Sequence, residues 1–100
     1  AGAAAAVTAF QRAAALMPNN PVFLHELAKA LQVRGDHAGA LANFDRVLQQ
    51  QPRNARALLR RGLAKKCLRR YDEAADDMLA ARKLDPNNPL MQIDMRALGG

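Results

Sequence analysis

The sequence predicts an all-α chain, an α-solenoid of antiparallel helical hairpins. Three observations carry this. Pro18, Pro52 and Pro86 lie thirty-four residues apart, and Pro-Asn-Asn-Pro recurs at 18–21 and 86–89. Apolar and small positions keep the same register: Ala6, Ala40 and Ala74, then Phe10, Phe44 and Met78, then Ala13, Val47 and Ala81. Between these punctuation marks the apolar residues recur at helical spacing. A period of this length marks a repeat array, in which each helix–turn–helix unit buries its apolar face only against its neighbours.

Taken in order, residues 3–17 read as a helix closed by Pro18, with Phe10 and Leu16 as its large apolar side chains. Asn19 and Asn20 supply a turn and an N-cap, and Pro21 suits the first turn of the helix at about 21–34. There Leu24, Leu27, Ala28 and Leu31 keep one face apolar. Gly35 tolerates the positive φ that ends a helix, and Asp36 caps the next, 38–51, which carries Ala40, Phe44, Val47 and Leu48. Pro52 stops it. Helix 55–68 carries Leu58, Gly62, Ala64 and Leu68 and turns at Arg69-Arg70. Helix 72–84 carries Ala74, Met78, Ala81 and Leu84, and opens on Asp72, Glu73, Asp76 and Asp77, whose charge complements the helix dipole. A last helix is expected at about 89–98. The expected division is a second helix of a truncated repeat at 1–20, full repeats at 21–54 and 55–88, and a terminal capping helix at 89–100. That makes six helices and no strand, in a piece of a longer protein.

Composition bounds the function. Half of the residues are hydrophobic, but many are Ala, which favours helix and close approach yet buries little surface. No run of about eighteen apolar residues exists to span a membrane. The opening AGAAAAV lacks the basic start of a signal peptide and is small rather than greasy. The cytoplasm is the expected compartment, although nothing in the residues fixes it. Oligomeric state is left open. Catalysis has little to work with: there is no Ser, one Thr (Thr8), one Cys (Cys67) and two His (His25 and His37), so serine nucleophile chemistry is excluded. Cys67 is expected to be a half-buried structural residue, since nothing marks it as activated. The two histidines lie twelve apart with no cysteine nearby, which is not metal-ligand spacing. The acids at 72–77 read as a solvated helix start. No enzyme activity, cofactor or metal is expected.

The feature that calls for a partner is charge. The net charge is +6, and from Arg53 to Arg70 there are eight basic residues (Arg53, Arg56, Arg60, Arg61, Lys65, Lys66, Arg69, Arg70) and no acid. Such a field attracts acidic partners and speeds their encounter. On helix 55–68, Arg56, Arg60, Leu63 and Cys67 share one face, while Arg61 and Lys65 share another with Leu58. On the preceding helix Val22, His25, Lys29 and Gln32 share the corresponding face. Stacked repeats would bring His25, Lys29, Arg56 and Arg60 side by side, with Lys66 toward the edge. Nucleic acid is the rival for a basic face. RNA-binding surfaces usually add aromatic platforms, and this chain has no Trp, one Tyr and three Phe, two of them assigned to the core. An acidic protein segment is therefore the expected partner.

These residues resemble the tetratricopeptide repeat family over the whole length, counting 1–20 as a half-repeat. The first full copy supplies Leu24, Leu27, Ala28, Leu31, Gly35, Ala40, Phe44, Val47 and Pro52 at the family positions. The second supplies Leu58, Gly62, Tyr71, Ala74, Met78, Ala81 and Pro86, and Tyr71-Asp72-Glu73-Ala74 is typical of the family. The resemblance implies a right-handed superhelix whose concave groove binds extended peptides. It places His25, Lys29, Arg56, Arg60, Leu63 and Lys66 on or beside that groove as peptide-binding residues. Three positions depart from the pattern: Lys65 stands where a large aromatic is usual, Arg61 where Leu is commonest, and Met78 where an aromatic is usual. Long cationic stems can cover apolar surface while their heads reach water, so a looser seam is expected inside the second repeat. In the last helix, Arg96 occupies the small crossing position.

One subfamily clamps the C-terminal carboxylates of heat-shock chaperones, and Arg56 and Arg60 coincide with its two basic positions in the third repeat. Glu26 stands where that clamp has an Asn, and an acid there would repel a carboxylate. The co-chaperone module and a purely structural spacer within a longer array are the alternatives to a general acidic-peptide groove.

Overall fold

The computed structural model describes residues 7, 8, 12 and 19–89. Within them lie four helices, α1 (Pro21–Arg34), α2 (His37–Gln50), α3 (Ala55–Cys67) and α4 (Tyr71–Leu84), with no strand among the described residues. Ahead of α1, Val7, Thr8 and Arg12 are helical. The expected core residues Phe10 and Leu16, and the expected terminal helix beyond Pro89 with Arg96, lie outside the described residues.

Three of the four helices begin where a side chain can satisfy their unpaired N–H groups. Asn20 Oδ1 accepts from Val22 N at 2.9 Å, Asp36 Oδ1 from Gly39 N at 2.9 Å, and Asn54 Oδ1 from Ala57 N at 3.0 Å. Arg70, at the N-cap of α4, offers no such acceptor. The two inner turns are copies of one another. Gly35 N donates to Gln32 O at 3.0 Å and Asp36 N to Leu31 O at 2.8 Å; thirty-four residues on, Arg69 N donates to Lys66 O at 3.0 Å and Arg70 N to Lys65 O at 2.8 Å. This paired closure needs a left-handed residue, and Gly35 has φ 93° while Arg69 is held at φ 63°.

α1 packs against α2 and α3 against α4, and the hairpins join where α2 meets α3. Among the described residues, Phe44, Leu24, Val7 and Val47 are the largest fully buried side chains. Residues one period apart share a role: Ala28 and Gly62, Ala40 and Ala74, and Val47 and Ala81 are all buried. Gly62 lets α3 and α4 approach so closely that a Cβ there would sit 3.0 Å from Met78 Cγ and 3.1 Å from Ala74 O.

Two expectations are overturned. The heads of Arg61 and Lys65 do not reach out to water. Arg61 grips the Asp77 carboxylate with Nε and Nη2, both at 2.8 Å, and Lys65 Nζ meets the same carboxylate at 3.0 Å. Lys65 is 8% and Asp77 6% exposed, so Asp77 belongs to the interior and not to a solvated helix start. The seam is closed by charge because two cations and an acid face each other across α3 and α4. Arg61 also reaches Asp45 of α2 at 2.9 Å, tying the two hairpins together. Its proton is held more firmly than usual, first by the Asp77 hydrogen bonds and, less, by the one to Asp45. The second correction is Cys67, which is exposed because it faces away from α4 near the C-terminal end of α3.

Candidate binding groove

The groove is built from one face of α1 and one of α3. Their register is fixed by Gln32, whose Nε2 donates to Arg60 O at 2.8 Å while Arg60 Nη1 donates to Gln32 Oε1 at 3.5 Å. His25 and Arg56 line a depression of about 210 Å³ together with Pro21, Val22, Glu26, Gln51 and Asn54. Arg56, Arg60 and Leu63 line a second, of about 130 Å³, over Leu59. Arg56 lines both, so the two depressions adjoin at its side chain. Lys29 lines neither; its Nζ lies 3.4 Å from Glu26 on the same helix. Lys66 is exposed and also lines neither.

His25 shows how closely the cations gather. Its imidazole meets the buried Phe44 ring edge-on, with centroids 5.4 Å apart and planes at 78°. Burial lowers its proton affinity, and the Arg60 charge lowers it further; Glu26 opposes this, and Lys29 and Arg56 add to it. At neutral pH His25 is therefore an uncharged, half-buried wall of the groove and adds no positive charge. Among the described residues neither Arg56 nor Arg60 has an ion-pair partner, whereas Arg61 and Lys65 are neutralised by Asp77 and Arg70 by Glu73 at 2.7 Å. The basic stretch thus splits: Arg61 and Lys65, on one side of α3, are paired internally, and Arg56 and Arg60, on the other, have no acid of their own among the described residues.

No family model matches the chain. Among curated proteins it is 35% identical over 66 residues to Tetratricopeptide repeat protein 34 of Mus musculus, a match covering 66% of this chain and 12% of that protein. It is 33% identical over 84 residues to peptidyl-prolyl cis-trans isomerase FKBP42 of Arabidopsis thaliana, covering 84% of this chain and 23% of that one. The Arabidopsis OM64 TPR domain superimposes with a TM-score of 0.86 at 28% identity, over 92% of this chain and 76% of that domain. The chain belongs to the tetratricopeptide repeat family. The first TPR domain of Spaghetti (RPAP3), solved with the HSP90 peptide SRMEEVD, shares the fold with a TM-score of 0.86 at 24% identity, over 93% of this chain and 74% of that one. The chain spans about an eighth and a quarter of the two curated relatives' lengths.

Within the repeat frame, α1 and α3 are the first helices of their hairpins and α2 and α4 the second. The sequence missed Gln51 and Asn54 as groove-lining residues, since both sit in the loop after α2, where no helical period applies. It also missed that Lys29 is matched by Glu26, although their i, i+3 spacing on one helix was visible. Among the described residues no group of three or more His, Cys, Asp or Glu is placed to hold a metal ion, and no helix is long and apolar enough to cross a membrane.

Proposed function

We propose that this repeat segment is a protein-interaction scaffold, in which residues 21–54 and 55–88 are the two full units and the face of α1 and α3 binds an acidic segment of a partner without altering it chemically. The observation that carries the reading is the pair Arg56 and Arg60, one turn apart, beside two adjoining depressions and without an acid of their own among the described residues. A guanidinium can meet a carboxylate with two parallel hydrogen bonds, which suits Arg to this role. Leu63 supplies an apolar floor and His25 an uncharged wall, while Lys29 and Lys66, which line neither depression, add only to the positive field around the groove. With each charge-assisted bond contributing roughly 1.5–3 kcal/mol when shielded and less at an open rim, binding should be around micromolar and weaken with salt.

The test is a titration of acidic and charge-scrambled peptides against the wild type and an Arg56→Glu/Arg60→Glu double variant. Selective binding of the acidic peptide by the wild type supports the groove. Equal affinity in every pairing would leave a spacer segment whose working sites lie elsewhere in the parent protein.

A chaperone-tail clamp is the second reading, favoured by the shared fold with a TPR domain that holds an HSP90 peptide. Against it, Glu26 lines the same depression as Arg56. A clamp grips the terminal carboxylate, so amidating the peptide's C-terminus would abolish binding, whereas a groove for internal acidic segments would lose little.

A further inference from the structure

A third depression continues the groove toward the C-terminal end of α3, and its chemistry is different. It measures about 260 Å³ and is lined by Gln32, Val33, His37, Leu63 and Cys67, with neither an acid nor a Lys or Arg among them. Val33 is 79% and Leu63 37% exposed, and the Cys67 thiol is exposed as well. Leu63 is shared with the Arg56–Arg60 depression, so a charged subsite and an apolar one lie in a row along one helix.

Resting on the acidic-segment reading above, we infer that the partner segment is two-ended: carboxylates over Arg56 and Arg60 and, about three residues further along, a large apolar side chain between Val33, Leu63 and Cys67. The spacing follows from geometry. Arg60 and Cys67 are seven residues apart on α3, roughly 10 Å at 1.5 Å per residue, which an extended chain covers in about three residues at 3.3 Å each. A uniformly acidic segment fits poorly, because its later carboxylates would lie over apolar surface with no cation beneath and would leave Val33 and Leu63 in water. A Leu, Ile or Met at that point removes apolar area from water on both sides. A second copy of the chain is a poor occupant, since a symmetric pairing through this face would bring Arg56 and Arg60 of one copy against those of the other.

Fluorescence polarisation tests this with peptides carrying an acidic pair and a Leu three or four residues away, in both chain directions, each beside its Leu→Ala counterpart. The proteins are the wild type, Val33→Ser/Leu63→Ser and Arg56→Glu/Arg60→Glu. In the better direction, Leu→Ala should weaken wild-type binding about tenfold, as partial burial of one side chain implies, and change little in the Val33→Ser/Leu63→Ser protein. Cys67 is the single cysteine, so its reaction rate with a small thiol reagent gives a second readout. Saturating Leu peptide should slow that reaction, and the Ala peptide at equal occupancy should not.

If Leu and Ala peptides bind alike and protect Cys67 alike while Arg56→Glu/Arg60→Glu still abolishes binding, the two-ended ligand is overturned and the basic groove survives. Leu-dependent binding that ignores the Arg56→Glu/Arg60→Glu change overturns the acidic-segment reading and this inference with it. Self-association at rising concentration that Val33→Ser/Leu63→Ser removes would give the depression to a second copy, which also overturns it.

Discussion

Asp77→Ala is the substitution that most directly probes what holds the second hairpin together. Asp77 accepts from Arg61 Nε and Nη2, both at 2.8 Å, and from Lys65 Nζ at 3.0 Å. Removing one partner of a buried ion pair costs about 3–5 kcal/mol, because the remaining charge is stranded in the interior. Arg61 keeps Asp45 at 2.9 Å, which softens its loss, while Lys65 has no second acid among the described residues. The two cations, one helical turn apart, would also repel each other. The expected cost is therefore about 3–4 kcal/mol, a large share of the roughly 5–15 kcal/mol available to a domain. Urea denaturation followed by circular dichroism measures it, and the difference should persist at high salt, since buried charges are poorly screened. Replacing the set together, as Arg61→Leu/Lys65→Leu/Asp77→Leu, should be neutral or stabilising, as buried pairs often are when exchanged for apolar packing. A loss below about 1 kcal/mol for Asp77→Ala, the size of a surface pair, would refute the buried network and restore the picture of solvated cation heads.

Three further outcomes are expected. Phe44→Ala should cost roughly 3–5 kcal/mol in the same assay, since the ring is fully buried and props the edge of His25; a barely shifted midpoint would mean that Phe44 is not core. Arg69→Gly should stabilise by about 0.5–1 kcal/mol, because a left-handed backbone strains a side chain but not glycine; an unchanged or lower melting temperature would contradict it. His25 has a depressed folded-state proton affinity, so its contribution is fully present above the unfolded value near pH 6.5 and is lost as pH falls through the lower folded value. The wild type should lose more stability than His25→Gln between neutral and mildly acidic pH, and parallel curves would remove His25 as the cause.

The repeat frame was legible because it rests on local chemistry written at a fixed interval. Pro52 and Pro86 break helices wherever they stand, Asn20, Asp36 and Asn54 cap by side-chain reach alone, and Ala28, Ala40 and Ala74 are small for the crossings they occupy. The buried charges were not legible in that register. Asp77 aligns one period back with Asn43, whose Nδ2 simply bonds Gly39 O on its own helix at 2.9 Å. The partnership that matters runs Asp45, Arg61, Asp77 at steps of sixteen residues, from α2 to α3 to α4. An acid–base–acid series at the spacing of successive helices is a visible signal, but repetition at thirty-four hides it.

That series also explains which cations face outward. A helix carrying eight basic residues in and around it would repel its neighbours if all of them pointed inward, and would dissolve its packing face if all pointed out. Asp45 and Asp77 draw Arg61 and Lys65 to the side of α3 that meets α2 and α4. Arg56 and Arg60, on the other side, then face His25 and Gln32 of α1 across a groove whose one lining acid among the described residues is Glu26, already matched by Lys29. Internal neutralisation on one side is what turns a basic sequence into a basic surface with a direction. Because Asp77 acts at the seam and not in the groove, Asp77→Asn should lower stability while leaving acidic-peptide affinity near the wild-type value at temperatures where the protein stays folded. Loss of affinity in step with loss of stability would mean instead that the seam sets the orientation of Arg56 and Arg60.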